Sequence, residues 1–217
     1  MGRAALCHSQ QEKIVSSRKT LQIPPRPNGG ETGVGTGKLE RCLFSVGHSN
    51  HPPGRLLSLL RQYRIGLLAD VRSAPRSRFA PHFNARPLAS ACAAAGIRYL
   101  YLGRELGGRP VDPALYDAGG HVDYSLVAKS PAFLDGIRRL EEAVTRERVA
   151  LLCSEEDPAG CHRRLLVGRV MEGRGVTLRH IRGDGRVETE EDVAAREVVT
   201  GSAGPHGAWR SVKPVRR

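Results

Sequence analysis

VALLCSEEDPAGCHRRLLVGRV, residues 149–170, passes from a short apolar run through a polar turn into a segment with helical spacing. The run Val149–Leu152 has the length and composition of a buried strand. Asp157-Pro158 is typical of a helix N-cap followed by proline at the first helical position, and the apolar residues between Leu165 and Val170 supply one helix face. The stretch therefore predicts a strand and a helix with polar residues between them.

The same alternation continues in both directions along the chain. Further strands are predicted at Leu43–Val46, Ile65–Val71, Ile97–Leu102 and Val176–Ile181, and further helices after Pro52-Pro53, from Asn84 to Gly96, after Ser130-Pro131 and behind a capping box of Thr189 and Asp192. Strands separated by helices of this length require right-handed crossovers. The predicted fold class is α/β, a three-layer sandwich in which a mostly parallel sheet of about five strands has helices on both faces.

The chain of 217 residues has room for one ordinary domain, which we place at residues 41–200. Residues 1–40 and 201–217 are rich in proline and glycine, so we expect a flexible leader and a flexible basic tail that carry no chemistry. Residues 104–128 lack clear periodicity and suggest a lid or binding loop. No apolar run approaches the roughly 18 residues of a membrane helix, and no secretory signal is seen, so a cytoplasmic protein with no membrane partner is expected.

The formal net charge of +12 suggests an anionic partner, either a nucleic acid or a phosphate-bearing small molecule. More than half of this excess lies in the two predicted flexible ends. Of the 34 basic residues 29 are arginine, and a biased codon usage is an alternative explanation for the arginine-rich composition. The five cysteines are an odd number in a chain without a signal peptide, which favours reduced thiols over a disulfide framework.

Polar residues follow four of the predicted strands, at the point where each strand ends. These groups are Gly47–Asn50, Asp70–Arg72 with Arg76 and Arg78, Gly103–Glu105, and Cys153–Glu155. Ligands bind at the carboxyl ends of parallel strands because loops and helix N-termini converge there. We therefore expect one concave site that brings together His48, Asp70, Arg72, Cys153 and His162.

The residue types indicate candidate roles within that site. His48, Cys153, Glu155 and His162 are the candidate catalytic residues, for proton transfer or as a nucleophile. The candidate substrate-binding residues are Ser49, Asn50, Asp70, Arg72, Arg76, Arg78, Asn84, Cys161 and Arg163. Structural alternatives stay open: a buried Asp70–Arg72 ion pair, and packing roles for Cys153 and His162.

Cys161 is predicted to lie in the first turn of the helix that Asp157-Pro158 begins. There the helix dipole and the neighbouring arginines would favour its thiolate, so Cys161 is expected to react faster than Cys92, which we assign to the core. Position 159, six residues after Cys153, is alanine, so the phosphatase loop spacing is absent. The C-x-x-C spacing and the usual nucleotide-binding glycine motifs are absent as well.

Taken together, several linked motifs resemble the family called domain of unknown function 488. They are Gly47-His48-Ser49-Asn50, Asp70-Val71-Arg72 followed by Pro75 and Ser77, Phe83-Asn84, Leu106-Gly107-Gly108, Cys153-x-Glu155 with Pro158, Cys161-His162-Arg163, and His180-Ile181 with Gly185. The resemblance covers roughly residues 43–186 in order. It implies a compact bacterial or archaeal α/β domain and supports the fold and the site more than any particular activity.

Three functional hypotheses follow from these residues. The first is an enzyme acting on a nucleic acid, nucleotide or other phosphate-bearing substrate, and the second is a nucleic-acid-binding or regulatory module without catalysis. The third is a metal site formed by Cys153, Cys161 and His162. The hypotheses stay open at this point, as do the cofactor and the oligomeric state.

Overall fold

A computed structural model of the protein describes residues 41–200 and 209–215. The predicted leader, and residues 201–208 and 216–217 of the predicted tail, lie outside the described residues. The described chain forms a six-stranded sheet of β1 (Cys42–Gly47), β2 (Leu67–Asp70), β3 (Arg98–Tyr101), β4 (Val149–Cys153), β5 (Thr177–Ile181) and β6 (Val187–Thr189). The strand order is β3-β2-β4-β1-β5-β6, and all neighbours are parallel except β5 and β6.

The predicted α/β class is confirmed, and the five predicted strands are present. The sixth strand, β6, was missed because it has only three residues and all three are half-buried, so it shows no apolar run or alternation. A tight turn with Gly185 at a φ of 98° returns the chain from β5 and makes this last pair antiparallel.

Within residues 41–200, seven α-helices cover the sheet: α1 (Pro53–Gln62), α2 (Ala85–Ala94), α3 (Gly103–Leu106), α4 (Tyr124–Val127), α5 (Pro131–Val144), α6 (Arg169–Glu172) and α7 (Glu190–Thr200). Residues Arg163–Gly168 form a π-helical segment that leads directly into α6, and Pro81–Phe83 and Pro113–Leu115 are single 3₁₀ turns. None of the helices in residues 41–200 is long and apolar enough to span a bilayer.

The core consists of two apolar layers on opposite faces of the sheet. Successive residues of a strand point to opposite faces, so Leu43 packs with α5 and Phe44 packs with α1. In β4 the same alternation divides Leu151 from Leu152. The predicted three-layer arrangement follows from this alternation of buried side chains.

Two of the predicted helix caps are confirmed. The Ser130 hydroxyl accepts a hydrogen bond from the Phe133 backbone N–H at 3.4 Å. Thr189 and Asp192 form the expected reciprocal capping box, with the Thr189 N–H donating to the Asp192 carboxylate at 2.8 Å and the Asp192 N–H donating to the Thr189 hydroxyl at 3.2 Å.

The prediction that Asp157 caps a helix beginning at Pro158 is wrong. The Asp157 carboxylate accepts the Ala159 N–H at 3.0 Å and pairs with Arg196, which holds residues 157–161 in a turn. The Cys161 N–H closes this turn onto the Pro158 carbonyl at 3.0 Å. The helical segment therefore starts at His162, and Cys161 lies directly before it, with its carbonyl accepting the N–H groups of Arg164 and Leu165 at 3.0 Å.

Residues 209–215, which belong to the predicted flexible tail, contact the domain. Trp209 donates its indole N–H to the Leu165 carbonyl at 2.6 Å and packs against the domain core. Backbone hydrogen bonds join the Ser211 N–H to the Val122 carbonyl and the Tyr124 N–H to the Trp209 carbonyl, both at 2.9 Å. Proline and glycine content alone did not reveal this segment, which we call the C-terminal strap.

Candidate functional site

A cavity of about 330 Å³ opens at the carboxyl ends of β2 and β4. It is lined by Arg72, Ser73, Ala74, Gly108, Arg109, Tyr124, Cys153, Ser154, Glu155, Gly160, His162 and residues 211–214 of the C-terminal strap. The cavity wall is formed by the residues after β2 and β4, the segment after α3 and the C-terminal strap. The expected site at this edge of the sheet therefore has a cavity large enough for a small ligand.

Two thiols and an imidazole meet in the wall of this cavity. Nδ1 of His162 lies 3.8 Å from Sγ of Cys153 and 3.8 Å from Sγ of Cys161. Nε2 of His162 donates to the Val71 carbonyl at 3.0 Å, and this hydrogen bond fixes the ring orientation. Nδ1 is therefore the nitrogen that can accept a thiol proton.

The surroundings of the two thiols differ in a way that selects Cys153 as the thiolate. The hydrogen bond from Cys161, together with His162, holds the pKa of the Cys153 thiol well below its usual range. Burial and the neighbouring Cys153 raise the pKa of Cys161 instead, and Cys161 is 0% exposed. Although burial opposes it, contact with Cys153 raises the pKa of His162, which favours a thiolate–imidazolium pair.

The directions of these pKa shifts do not favour the predicted thiolate at Cys161 and favour a thiolate at Cys153 instead. Cys161 precedes the helix, has no access to the cavity surface, and serves as the donor that stabilises its neighbour. Cys92 is buried in the core as expected, and burial raises the pKa of that thiol to about 11.

Arg72 is held by a buried polar network behind the cavity. Its guanidinium makes two hydrogen bonds to the Asp70 carboxylate, of 2.9 and 2.6 Å, and donates to the Phe83 carbonyl at 2.9 Å. It also donates to Nε2 of His48 at 3.0 Å, while the Tyr99 hydroxyl donates to Asp70 at 2.6 Å. Four of the five guanidinium hydrogens are thereby used, so one remains for a ligand in the cavity.

His48 is a positioning residue for Arg72 and does not line the cavity. Nδ1 of His48 bonds to the Ser49 carbonyl at 2.9 Å, which is possible because Ser49 has a φ of 43° and turns its carbonyl back toward the ring. Burial lowers the pKa of His48, so the ring is neutral and Nε2 can accept the Arg72 hydrogen. The expected Asp70–Arg72 ion pair and His48 thus form one network.

Arg163 holds the loop that follows Cys153. Its side chain is 1% exposed and donates to the Glu155 carbonyl at 2.5 Å, to the Glu156 carbonyl at 2.7 Å and to the Ser45 hydroxyl at 3.2 Å. Gly47 allows this loop to pass, because a Cβ at that position would lie 1.8 Å from the Glu155 carbonyl oxygen. The predicted contact of Arg163 with substrate is therefore wrong, since its guanidinium is occupied within the protein.

Of the remaining candidates, Glu155 lines the cavity and the others do not. Glu155 is exposed, and its proton-transfer role stays a prediction. Asn84 binds the Ser77 N–H through its side-chain oxygen at 2.6 Å and so holds a loop rather than a ligand. Ser49 and Asn50, and Arg76 and Arg78, lie on loops at the same edge of the sheet, but none of them lines the cavity.

Sequence reasoning missed two cations of the cavity, Arg109 and Lys213. Arg109 directly follows Leu106-Gly107-Gly108, and its position in that motif was a usable signal. Lys213 was missed because it lies in the predicted tail, where Trp209, the only tryptophan of the chain, was the signal of a packed segment. Gly108 was quoted as part of a motif, and the structure supplies its reason: a Cβ there would lie 2.6 Å from Cγ of His162.

A family model described as domain of unknown function DUF488 matches residues 53–170. The chain belongs to the DUF488 family. The match includes Arg72, Gly108, Cys153 and His162, whereas Lys213 lies outside it. No curated protein and no solved structure matches the chain. The Cys153–His162 contact and most of the residues that line the cavity lie within the DUF488 match.

Proposed function

We propose that this DUF488 protein is an enzyme that uses Cys153 as a nucleophile on a phosphate-bearing substrate, with nucleic acids and nucleotides as the class its charge favours. The observation that carries the proposal is the contact of Sγ of Cys153 with Nδ1 of His162, at 3.8 Å, in the wall of a cavity. A thiol beside an oriented imidazole is the arrangement that nucleophilic thiol catalysis needs. The Val71 carbonyl supplies the third, orienting group.

The chemistry balances in two steps. In the first, Sγ of Cys153 bonds to the electrophilic atom of the substrate, the bond from that atom to its leaving group breaks, and the leaving group receives the proton from Nδ1 of His162. In the second, water attacks the covalent intermediate and returns a proton to Nδ1 as Cys153 departs as a thiolate. Glu155, exposed at the cavity, is positioned to orient that water.

Three cationic side chains around the cavity bind the phosphate of the substrate. Arg109 and Lys213 are exposed and line it, and Arg72 offers its one remaining guanidinium hydrogen. The loop after Cys153 does not cradle a phosphate as a phosphatase loop does, because the Arg163 guanidinium donates its hydrogen bonds to the loop carbonyls. The phosphate thus serves to hold the substrate while Cys153 reacts at a neighbouring group.

Ligand protection of Cys153 tests this function. Iodoacetamide labelling of Cys153 should slow when a nucleoside monophosphate, an oligonucleotide or pyrophosphate occupies the cavity. The double variant Arg109→Ala/Lys213→Ala should lose the protection, whereas Arg146→Ala, which removes an exposed charge before β4 at the far edge of the sheet, should retain it. Labelling that no phosphate-bearing ligand slows would contradict the proposal.

The same three side chains favour a second candidate, a zinc site. The ligand atoms of Cys153, Cys161 and His162 all lie within 4.8 Å of one another. Tetrahedral zinc with ordinary bond lengths separates sulfur from nitrogen by about 3.6 Å, close to the 3.8 Å seen here. Three protein ligands would leave one position for water or substrate, and the His162–Val71 bond is the outer contact that such ligands usually make.

Elemental analysis of the purified protein separates the two candidates. The thiolate enzyme predicts labelling of Cys153 that a chelator does not change. Zinc at about one ion per chain, together with labelling that appears only after chelation, would support the zinc site and contradict a free Cys153 thiolate.

A further inference from the structure

Phe79, on the loop that follows β2, is the most exposed phenylalanine among the described residues. Its side chain is 92% exposed, whereas Phe44, Phe83 and Phe133 are buried. A single exposed apolar side chain is common on protein surfaces, so the interest of Phe79 comes from its neighbours in the loop.

The loop that carries Phe79 is held firmly by hydrogen bonds. The Ser77 N–H donates to the Asn84 side chain at 2.6 Å, and the Ser77 hydroxyl accepts the N–H groups of Phe79 and Ala80 at 3.2 and 3.1 Å. The Ala85 N–H donates to the Pro75 carbonyl at 3.0 Å. Phe79 is thus presented to solvent by a backbone that is fixed on the domain.

Two arginines precede Phe79 in the sequence. Arg76 and Arg78 are exposed, and within residues 41–200 and 209–215 neither guanidinium has a carboxylate partner. Exposed arginines elsewhere on the domain are often paired, as Arg138 is with Asp135 and Glu142. Residues 76–79 therefore combine free positive charge with an aromatic face.

This loop continues directly from the cavity wall. Arg72, Ser73 and Ala74 line the cavity, and the five residue-to-residue steps from Ala74 to Phe79 span at most about 18 Å. The Ser73 hydroxyl accepts the Arg109 N–H at 2.9 Å, and this hydrogen bond holds Arg109 beside Ser73 in the cavity wall. Phe79 therefore lies within about 18 Å of the cavity wall, a distance that an extended strand of nucleic acid can cover.

We propose that residues 76–79, the stacking loop, bind single-stranded nucleic acid and lead it into the cavity. A base stacks on Phe79 while Arg76 and Arg78 contact the flanking phosphates, which is how proteins hold single strands without reading sequence. The inference rests on the proposed function and narrows its substrate from any phosphate-bearing molecule to an extended strand. A base paired within a duplex hides both of its faces by stacking, so the loop favours a single strand.

Fluorescence anisotropy with a labelled oligodeoxythymidylate of about 12 nucleotides tests the stacking loop on the full-length protein. Phe79→Ala is expected to weaken binding by about 10-fold, and Phe79→Trp to retain it. Arg76→Ala and Arg78→Ala should each weaken binding and lower the dependence on salt concentration. A duplex of the same length should bind less tightly.

Two matched controls remove the same groups elsewhere on the protein. Leu134→Ala deletes an apolar side chain that is 41% exposed on α5, and Arg146→Ala deletes one exposed positive charge at the opposite edge of the sheet. Equal losses for Arg76→Ala and Arg146→Ala would mean general charge attraction and would overturn the proposal. Unchanged binding by Phe79→Ala, or no binding of the oligonucleotide at all, would overturn it too.

The outcome is separable from that of the proposed function. Phe79→Ala leaves the Cys153–His162 pair untouched, so its labelling rate with iodoacetamide should equal that of the unaltered protein. Loss of oligonucleotide binding with normal Cys153 labelling supports the loop. Protection of Cys153 by a mononucleotide, without any oligonucleotide binding, would reject the loop and retain the nucleophile.

Discussion

At the level of single residues, the site depends on two glycines that leave space for neighbouring groups, as well as on the residues that react. Gly108 has no Cβ where one would lie 2.6 Å from Cγ of His162, and Gly47 has none where one would meet the Glu155 carbonyl. These glycines allow the imidazole and the loop after Cys153 to pack against the backbone of neighbouring segments. The hydrogen bond of His162 to Val71 then fixes which nitrogen faces the thiols.

Gly108→Ala is therefore expected to displace the imidazole of His162 and to raise the pKa of Cys153 toward that of an ordinary thiol. The measurement is the pH at which labelling of Cys153 reaches half its maximal rate. Gly54→Ala is the matched control, because a Cβ at that position has no heavy atom within 4 Å. An unchanged midpoint in Gly108→Ala would show that His162 does not set the reactivity of Cys153.

The choice between the two thiols shows what residue-level reasoning can and cannot reach from sequence. The proximity of Cys153, Cys161 and His162 was expected from the strand end, but the dipole argument selected Cys161. That argument required a helix starting at Pro158, and Asp157 is instead bound to Ala159 and Arg196. The partner Arg196 is 39 positions away along the chain, so no local pattern could have indicated the pair.

At the level of elements, the loop after β4 is shaped by one buried arginine. Arg163 binds two loop carbonyls and the Ser45 hydroxyl, and that hydroxyl is in turn 2.7 Å from Nδ1 of His180. Nε2 of His180 donates to the Glu190 carboxylate, at the start of α7, at 2.5 Å. The network connects β1, β5 and α7 to the loop that ends at the cavity.

Arg163→Met should lower the free energy of unfolding by about 2–4 kcal/mol, because it removes a buried guanidinium and its hydrogen bonds to two loop carbonyls while preserving most of the side-chain volume. Urea unfolding of the variant and of the unaltered protein measures the difference. Arg146→Met, at an exposed position, should change stability by no more than about 0.5 kcal/mol. Equal stability of the two variants would show that the Arg163 contacts contribute nothing.

Most elements could be predicted because local signals determined them. Ser130-Pro131 and the Thr189–Asp192 box start α5 and α7 as expected, and continuous apolar runs marked the buried strands. The exceptions depend on distant contacts: β6 exists only as the partner of β5, and the turn at residues 157–161 depends on Arg196. Those contacts have no local sequence pattern.

At the level of the whole molecule, the C-terminal strap closes one side of the cavity. Within the strap, the Trp209 ring has the Arg169 guanidinium 4.9 Å from its centroid and makes an edge contact with Tyr124. Asp117 pairs with Arg210 at 2.8 Å on the same strap. The site thus combines residues of the family match with a segment that lies beyond it. Proline and glycine content alone had assigned that segment to a flexible tail.

Trp209→Ala should lower the free energy of unfolding by about 2 kcal/mol and weaken phosphate-ligand protection of Cys153, since Lys213 loses its support. Val212→Ala, 46% exposed on the same strap, should leave stability nearly unchanged. Thermal unfolding and the labelling assay report the two effects separately. A Trp209→Ala protein with unaltered stability would mean that the strap does not pack on the domain in solution.

The rate of Cys153 labelling as a function of pH tests the central claim most directly. Cleavage after Glu155 and Glu156 places Cys153 and Cys161 on different peptides, so mass mapping can follow each thiol and Cys92 separately. Because the pKa of Cys153 lies below its usual range, its thiolate should form, and its labelling should rise, at a lower pH than the pKa of about 8.5 of a free cysteine. Replacement of His162 by Gln should move that rise to higher pH. Labelling of Cys153 no faster than that of Cys92, or an unchanged midpoint in His162→Gln, would contradict the assignment of Cys153 as the nucleophile.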